Sequence, residues 1–586
     1  MQLVVSLNEK VSCIKAMART WITRSRWTRV DRTAEVISEF DLVQLTEDGE
    51  KVNPQTTCEI SMIIDKAHKA VILRPRDPAK ITTVIPTAKA FSFKGVDGYV
   101  AVPHKPDETL VLRNLGFDVP SPMNFYYPYD GRFKPFDAQK TTAEFASMNR
   151  RCFILNSMGL GKTITTLWAY DYMRRIGAVH RALVICPISV MERTWADEIF
   201  RSFPDLNVGV LYGPRDKRKK ILSEPADIYI INTDGLKIVE EELAERKDID
   251  LIIIDELALF RNGGAARWKT ANNICNKQCL GTRRVWGLTG SPTPNSPTDA
   301  HAQIRLVNPA NKDCPRFFGR FRDLTMMQLS QFKYVPKKDA VDTVHRLMQP
   351  AIRFALDDVV DLPEQIVMTR KVELTTEQKK AYKDMATKLR TQIASGDVLA
   401  VNEAVKASKL MQITCGVVYG NSDQYLPIDC KPRLEAVDEI VNESEGKTII
   451  FVPFSGALEQ LRAYLVEQGH TVAVVDGSTS KSARDDIFHN FQNTDTPKVI
   501  IANPGTMSHG LTLTAATTII WFGPCYSNEV YQQACARVRR PGQTRATVIV
   551  QMVSTSLEEK VYQRLNDKQS LQGLLLDMVR DNPNFL

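Results

Sequence analysis

From about residue 150 the chain repeats one hydrophobic pattern, a short β-branched apolar run followed by a polar or helix-periodic stretch. "CFIL" (152–155), "ALVIC" (182–186), "DIYII" (227–231), "LIII" (251–254) and "RVWGL" (284–288) make a first set. "TIIFV" (448–452), "TVAVV" (471–475), "KVIIA" (498–502), "TTIIW" (517–521) and "TVIVQ" (547–551) make a second. Continuous apolar runs alternating with helical stretches predict parallel strands covered on both faces. Two tandem α/β lobes follow. In the second, Ser455 suits an N-cap, and Leu458, Leu461 and Leu465 recur behind it at helical spacing. Residues 311–430 carry stretches such as "LTTEQKKAYKDMATKLRTQI" and read mainly as a helical insertion, not a third sheet. The expected domains are a small N-terminal accessory domain (1–130), lobe 1 (131–310), the insertion (311–430), and lobe 2 with a short tail (431–586).

Chemistry enters at "ILNSMGLGKT" (154–163), between a predicted strand and a predicted helix. A phosphate loop reads G-x-x-x-x-G-K-[ST], and Asn156 holds the place of its first glycine. In this context Gly159 and Gly161 let backbone amides approach phosphate oxygens, Lys162 neutralises charge and Thr163 can ligate Mg2+. The nucleotide-binding loop is thus Met158, Gly159, Leu160, Gly161, Lys162 and Thr163; the alternative is a glycine-bearing turn. "LIIIDE" ends a buried strand in Asp255, which would hold the metal directly or through water, and Glu256, which would orient or deprotonate the attacking water. "QQACARVRRPGQT" puts Arg537, Arg539 and Arg540 in a helix-like stretch, where Arg537 and Arg540 would share a face. They read either as an arginine finger for a triphosphate held by lobe 1 or as a solvated basic helix end.

Composition narrows the class. With 43% hydrophobic residues, no run near the ~18 apolar residues of a membrane span, and an N-terminus too short and too soon charged for a signal peptide, a soluble cytoplasmic protein is expected. The eleven cysteines are scattered and read as free buried thiols; Cys275 and Cys279 lack the further ligands of a zinc site. A net charge of +8 suits a polyanionic partner.

In their order, these motifs resemble the superfamily-two helicases, specifically the Swi/Snf-type ATPases. "FKPFDAQ" resembles the adenine-recognising Q motif, which implies Gln139 as the adenine contact. "NSMGLGKT" is similar to motif I, "LVICPISVMERTWADEI" to motif Ia, "DELALFRN" to motif II and "LTGSPTPNSP" to motif III. "LPEQIVMTRKVELTTEQKKAY" resembles the family's segment between lobes, "TIIFVPFSGALEQL" motif IV, "GLTLTAATTIIWFGP" motif V, and the arginine segment motif VI. The resemblance covers about residues 130–570 and implies two RecA-like lobes, ATP and Mg2+ as cofactors, and catalytic Lys162, Asp255, Glu256, Arg537 and Arg540. It further implies translocation on duplex DNA, with Ser189, Thr233 and Thr512 touching the phosphodiester backbone; for each hydroxyl a structural cap is the other reading. Departures are Asn156 and Ser157 for the acidic pair of motif I, Leu257 and Ala258 after Asp-Glu, and Ala536 where motif VI has Asp. They bear on coupling between hydrolysis and movement.

Upstream, residues 15–32 interleave Lys15, Arg19, Arg24, Arg26, Arg29 and Arg32 with Trp21 and Trp27. This suits nucleic-acid binding, or equally a solvated face whose tryptophans enter a small core. The run "RDKRKK" (215–220) reads as a solvated loop, or in a DNA-binding lobe as an extension of the footprint. The join into the core resembles phage-encoded members of the family, and for a viral chain the expected cytoplasm is that of the host. Double-stranded or branched DNA is the expected partner, with no membrane partner. An RNA or single-strand helicase, and a weakly catalytic ATP-gated DNA-binding module, are the competing readings.

Overall fold

The computed structural model describes residues 62–567, apart from position 76 and the stretches 94–95, 130–132, 278–282, 331–332, 395–399, 420–424 and 508–511. The Trp21/Trp27 stretch and the tail beyond 567 lie outside the described residues. The chain divides into two compact units between Ala355 and Leu356, with Thr293–Asp299 counted in the second. That division falls later than residue 310, where the hydrophobic pattern alone placed the end of lobe 1.

Four antiparallel strands open the first unit: β1 (Ile63–Asp65), β2 (Ala70–Leu73), β3 (Lys89–Phe93) and β4 (Val96–Pro103), in the order β1-β2-β4-β3. Their apolar side chains Val71, Leu73, Val100 and Val102 pack with Ile81 and Leu112 from two short helices. This small sheet is bound to the rest of its unit. The Tyr127 hydroxyl donates to Asp171 Oδ2 at 2.8 Å, the rings of Tyr129 and Trp168 meet edge-on at 5.6 Å, and Arg113 pairs with Glu144 at 2.8 Å.

Beyond it lies a seven-stranded parallel sheet. Its strands are β5 (Arg151–Ile154), β6 (Arg181–Cys186), β7 (Val208–Leu211), β8 (Ile228–Asn232), β9 (Ile249–Ile254), β10 (Arg284–Leu288) and, after a hairpin of β11 (Met326–Ser330) and β12 (Lys333–Pro336), β13 (Ala351–Ile352). The order is β13-β5-β10-β9-β6-β8-β7. The five expected strands all form. Strand β7 contains Gly209, and β13 is only two residues long, so neither left a clear hydrophobic run.

The second unit holds a six-stranded parallel sheet of β14 (Gln365–Lys371), then, past a small hairpin of β15 (Val417–Tyr419) and β16 (Tyr425–Pro427), β17 (Lys447–Phe451), β18 (Val472–Val475), β19 (Val499–Ala502), β20 (Ala516–Trp521) and β21 (Thr547–Val553). Its order is β14-β21-β20-β17-β19-β18. Residues 311–430 therefore do more than insert helices. They form helices at Phe318–Thr325, Ala340–Leu347, Thr376–Ala394 and Ala400–Thr414, and they also add β13 to one sheet and β14 to the other.

No helix among the described residues is long and apolar enough to cross a membrane. The eight described cysteines are free and buried, and burial raises the thiols of Cys275 and Cys415 to about 12, which leaves them unreactive. No metal-binding cluster of His, Cys, Asp and Glu occurs among the described residues.

Candidate functional site

In the first unit the chemistry gathers at the C-terminal ends of neighbouring parallel strands, the usual ligand edge of such sheets. The glycine loop follows β5, Asp255 follows β9, and "LTGSP" follows β10, which lies between them. Two glycines shape the loop: Gly159 has φ of +88° and Gly161, the N-cap of the helix Lys162–Arg175, has φ of +68°. No side chain caps that helix, so its first N–H groups point into the loop, as phosphate binding requires. Lys162 Nζ donates to the carbonyls of Asn156 at 2.9 Å and Ser157 at 3.3 Å, so the loop itself cradles the lysine.

Asn156, the departure from the glycine pattern, is a buried tie. Its Nδ2 donates to Thr142 Oγ1 at 2.9 Å, and its Oδ1 accepts from the Phe354 N–H at 2.9 Å. The second bond extends the β13–β5 pairing, because the Leu155 and Ser157 amides donate to the carbonyls of Ile352 and Phe354. Gln139 is buried behind the loop: its Oε1 accepts from the Phe136 N–H, and its Nε2 donates to the Leu160 carbonyl at 3.1 Å. The expected adenine contact thus braces the loop directly. Met158 lies beside the start of "GSP", where a Cβ on Gly290 would come 3.3 Å from Met158 Cγ.

Asp255 is held from two sides. Trp195 Nε1 donates to its Oδ2 at 2.9 Å and the Glu256 N–H to its Oδ1 at 3.0 Å. Burial raises its carboxyl above the ordinary value, against the lowering influence of the Trp195 bond and the Lys162 charge. A half-buried carboxylate at the end of β9 and a hydroxyl, Thr163, at the start of the loop helix are the oxygen ligands a hard divalent cation takes. Glu256 has φ of +52°, a left-handed backbone that costs a side-chain-bearing residue about 1–2 kcal/mol, and such strain gathers at working sites. The altered pair after it is core: Leu257 and Ala258 are both buried in a 3-10 turn.

The expected backbone contacts divide. Ser189 is exposed on the 3-10 turn Ile188–Val190 after β6, and Thr512 is exposed in the second unit. Thr233, 6% exposed at the end of β8, presents almost no surface, because the 3-10 segment Thr233–Val239 folds back over the strand end. "RDKRKK" is not a loop but the start of the helix Arg215–Ser223. Its Arg218 is buried, donating to the carbonyls of Gly213 and Leu211 at 2.7 and 2.6 Å.

In the second unit, the helix carrying the motif VI resemblance ends at Cys535, so Arg537, Arg539 and Arg540 occupy turns and share no helical face. Pro541 disfavours helical backbone at Arg540, the residue before it. Arg537 is 2% exposed. Arg540 Nε donates to the Ala536 carbonyl at 2.8 Å and its Nη1 to Thr512 Oγ1 at 3.0 Å, joining one catalytic candidate to one DNA-contact candidate.

Sequence reading missed Trp195 and Thr142, which position Asp255 and Asn156. The only trace was Trp195 inside the "ERTWADEI" stretch.

Comparison with known proteins bears on this arrangement. Residues 57–419 match the model described as SNF2-related domain, and residues 432–542 that described as helicase conserved C-terminal domain. Protein p41 of Acyrthosiphon pisum secondary endosymbiont phage 1 is 26% identical over 459 residues, covering 74% of this chain and 95% of that protein. A SWI/SNF-related matrix-associated actin-dependent regulator of chromatin subfamily A-like protein 1 from Xenopus laevis is 25% identical over 460 residues, 76% of this chain but 44% of that protein. An ATP-dependent helicase of Mycoplasma pneumoniae is 26% identical, with 39% of its length covered. The chain thus spans less than half of these two cellular relatives. The Sulfolobus solfataricus SWI2/SNF2 ATPase core in complex with dsDNA aligns over 78% of this chain and 95% of its own at 23% identity, with a TM-score of 0.37.

Proposed function

Because this chain belongs to the SNF2-related family, we propose that it is a DNA-stimulated ATPase that translocates on double-stranded DNA, remodelling branched DNA or displacing what is bound to it. The observation that carries this reading is the strand-end constellation of the first unit: a glycine loop with left-handed Gly159 and Gly161, and a half-buried Asp255 two strands away beside a strained Glu256.

In this reading the loop 158–163 binds the ATP phosphates, Lys162 leaves the carbonyls of Asn156 and Ser157 for the β/γ-phosphates, and Gln139 contacts the adenine. Thr163 and Asp255 would hold Mg2+, which would supply charge neutralisation at the phosphates. Glu256 orients the attacking water and takes its proton, while Arg540 stabilises charge developing on the leaving phosphates; Arg537, 2% exposed, supports that turn from within. Ser189 and Thr512 contact phosphodiester oxygens without reading bases, which suits movement over any sequence.

The test is the ATPase rate of the full chain with blunt duplex DNA, single-stranded DNA, RNA and no nucleic acid, beside a Lys162→Ala control. Duplex should stimulate most, and the control should be inactive throughout. ATP-dependent displacement of a triplex-forming strand, without separation of a tailed duplex, should accompany it. Stimulation by RNA or single strands alone, with unwinding of the tailed duplex, would move the reading to a helicase; binding without turnover would move it to an ATP-gated clamp.

A further inference from the structure

The nucleotide edge and the candidate strand contact of the first unit are joined by one side chain. Strands β6 and β9 are parallel neighbours, registered Ile185 to Ile254, and the Asp255 N–H donates to the Ile185 carbonyl at 2.8 Å. From this shared point β6 continues through Pro187 into the 3-10 turn that exposes Ser189, and then into a π-helical turn, Met191–Ala196. The wide turn, with the Asp197 N–H reaching back to the Glu192 carbonyl, leaves Glu192 and Arg193 on the surface and seats Trp195 inside, 0% exposed. From there the Trp195 N–H meets Asp255 Oδ2 at 2.9 Å. π-turns are uncommon and concentrate at functional positions.

We infer that Trp195 is a positioning residue through which the exposed loop at Ser189 sets the orientation of the Asp255 carboxylate, so that a docked DNA strand and the bound metal–nucleotide influence one another. This rests on the reading of Ser189 as a strand contact and Asp255 as a metal ligand. The physics is local. Asp255 is half-buried at the strand end, and the indole N–H, held from inside the fold, takes one lone pair of its Oδ2 and so fixes which remain for a cation. Any shift of the 188–196 segment under a phosphodiester must move the indole, because that segment is only six residues from Ser189 to Trp195 and is packed at both ends. The link also offers a route from DNA to hydrolysis that does not use the residues after Asp-Glu, where this chain has buried Leu257 and Ala258.

The experiment measures equilibrium Mn2+ binding to the full chain with ADP, with and without blunt duplex DNA, in wild type and Trp195→Phe. Phenylalanine keeps an aromatic ring and removes the N–H. In wild type, duplex should tighten Mn2+ about fivefold or more, the lower range of a genuine coupling between sites. In Trp195→Phe, at an unchanged melting midpoint, that tightening should disappear, and kcat with duplex should fall about tenfold while KM for ATP stays within about twofold. A purely packing role for Trp195 would change the melting midpoint and leave the tightening intact, which would overturn the inference. If Trp195→Phe does not fold, Ser189→Ala, at an exposed position, reads the same link from its other end: loss of the duplex-induced tightening supports it, and full retention overturns it. Wild type that hydrolyses no ATP with any nucleic acid removes the functional reading itself. Duplex-stimulated hydrolysis with tightening retained in both variants removes only the relay.

Discussion

A Cβ added to Gly287 in β10 would lie 2.6 Å from Leu257 Cδ2, so these two residues share one space against the sheet of lobe 1. The resemblance to Swi/Snf-type ATPases calls for a small residue at 257. The leucine fits here because the neighbouring strand gives up its side chain. Leu257→Ala should destabilise the first unit by about 3 kcal/mol, and Gly287→Ala by about 1–3 kcal/mol through overpacking. The double variant should lose less than the sum of the two, since the added methyl fills part of the space removed. A double-mutant cycle on thermal unfolding reads this directly, and strict additivity would show that the two positions do not compete.

Asn156→Asp restores the acid that the family pattern carries, yet it should weaken this protein. The Thr142 hydroxyl donates to the Ala138 carbonyl at 2.7 Å, so its oxygen is committed to accepting from Asn156 Nδ2. A carboxylate there sets oxygen against oxygen in a buried site and leaves a polar group unsatisfied. The expected loss is about 1–3 kcal/mol, with a raised KM for ATP because the loop loses its tie to Thr142. Circular-dichroism melting and steady-state kinetics check both, and an unchanged melt would mean the tie is dispensable.

These two cases show what the sequence carried and what it withheld. Fully buried parallel strands announce themselves as β-branched runs, so "DIYII" and "TTIIW" gave their strands to within one residue. Edge strands do not. Strand β14, "QIVMTRK", is exposed along most of its length and mixes polar with apolar residues, and it sits in a region whose Lys and Gln suggested helix. The glycine loop and Asp-Glu pair were legible because phosphate and metal chemistry fixes residue type at short spacing. The Trp195–Asp255 bond spans 60 positions and the Asn156–Phe354 bond 198, and no local pattern encodes a partner that distant. Arg218 was lost in a basic run for a related reason: its burial depends on carbonyls that only the turn after β7 brings together.

Glu256 separates stability from activity. Its φ of +52° strains any residue with a side chain, and glycine would relieve that strain. Glu256→Gly should therefore melt no lower than wild type, offsetting greater chain freedom with a relaxed backbone, while turnover with duplex falls at least about 100-fold. Glu256→Gln should keep the strain and ATP binding and lose turnover to a similar extent. A destabilised glycine variant would show that contacts of the side chain outweigh the strain.

Arg540→Ala should lower duplex-stimulated turnover by about 10³-fold and leave nucleotide affinity within several-fold, as expected of a residue needed in the transition state. Because Arg540 also donates to Thr512 and Ala536, Arg540→Lys is the informative companion: it keeps the charge but cannot make both bonds in the same geometry. Stopped-flow nucleotide binding and steady-state rates separate the two effects. Equal falls in unstimulated and stimulated rates would argue that DNA acts at some step before phosphate chemistry.

Truncation at residue 130 should fail for a reason visible in the packing of the first unit. Tyr127 donates to Asp171, lies under the Arg175 guanidinium at 5.3 Å and meets Tyr172 at 6.1 Å, while Tyr129 meets Trp168; all four partners belong to the helix behind the glycine loop. Burial and the neighbouring Asp171 carboxylate hold the Tyr127 phenol far above its ordinary value, so this contact is neutral and persists across the physiological range. Removing residues 1–130 strips an aromatic layer from that helix, and the product should aggregate or melt well below the full chain. Removing residues 1–61 leaves the layer intact and takes away the basic stretch around Trp21 and Trp27. That shorter deletion should retain ATP hydrolysis on linear duplex, and its stimulation by forked relative to linear DNA should fall if the basic stretch directs the ATPase to branches. ATPase titrations with forked, linear and single-stranded DNA decide the point, and an unchanged preference would remove the targeting role from residues 1–61 without touching the ATPase core.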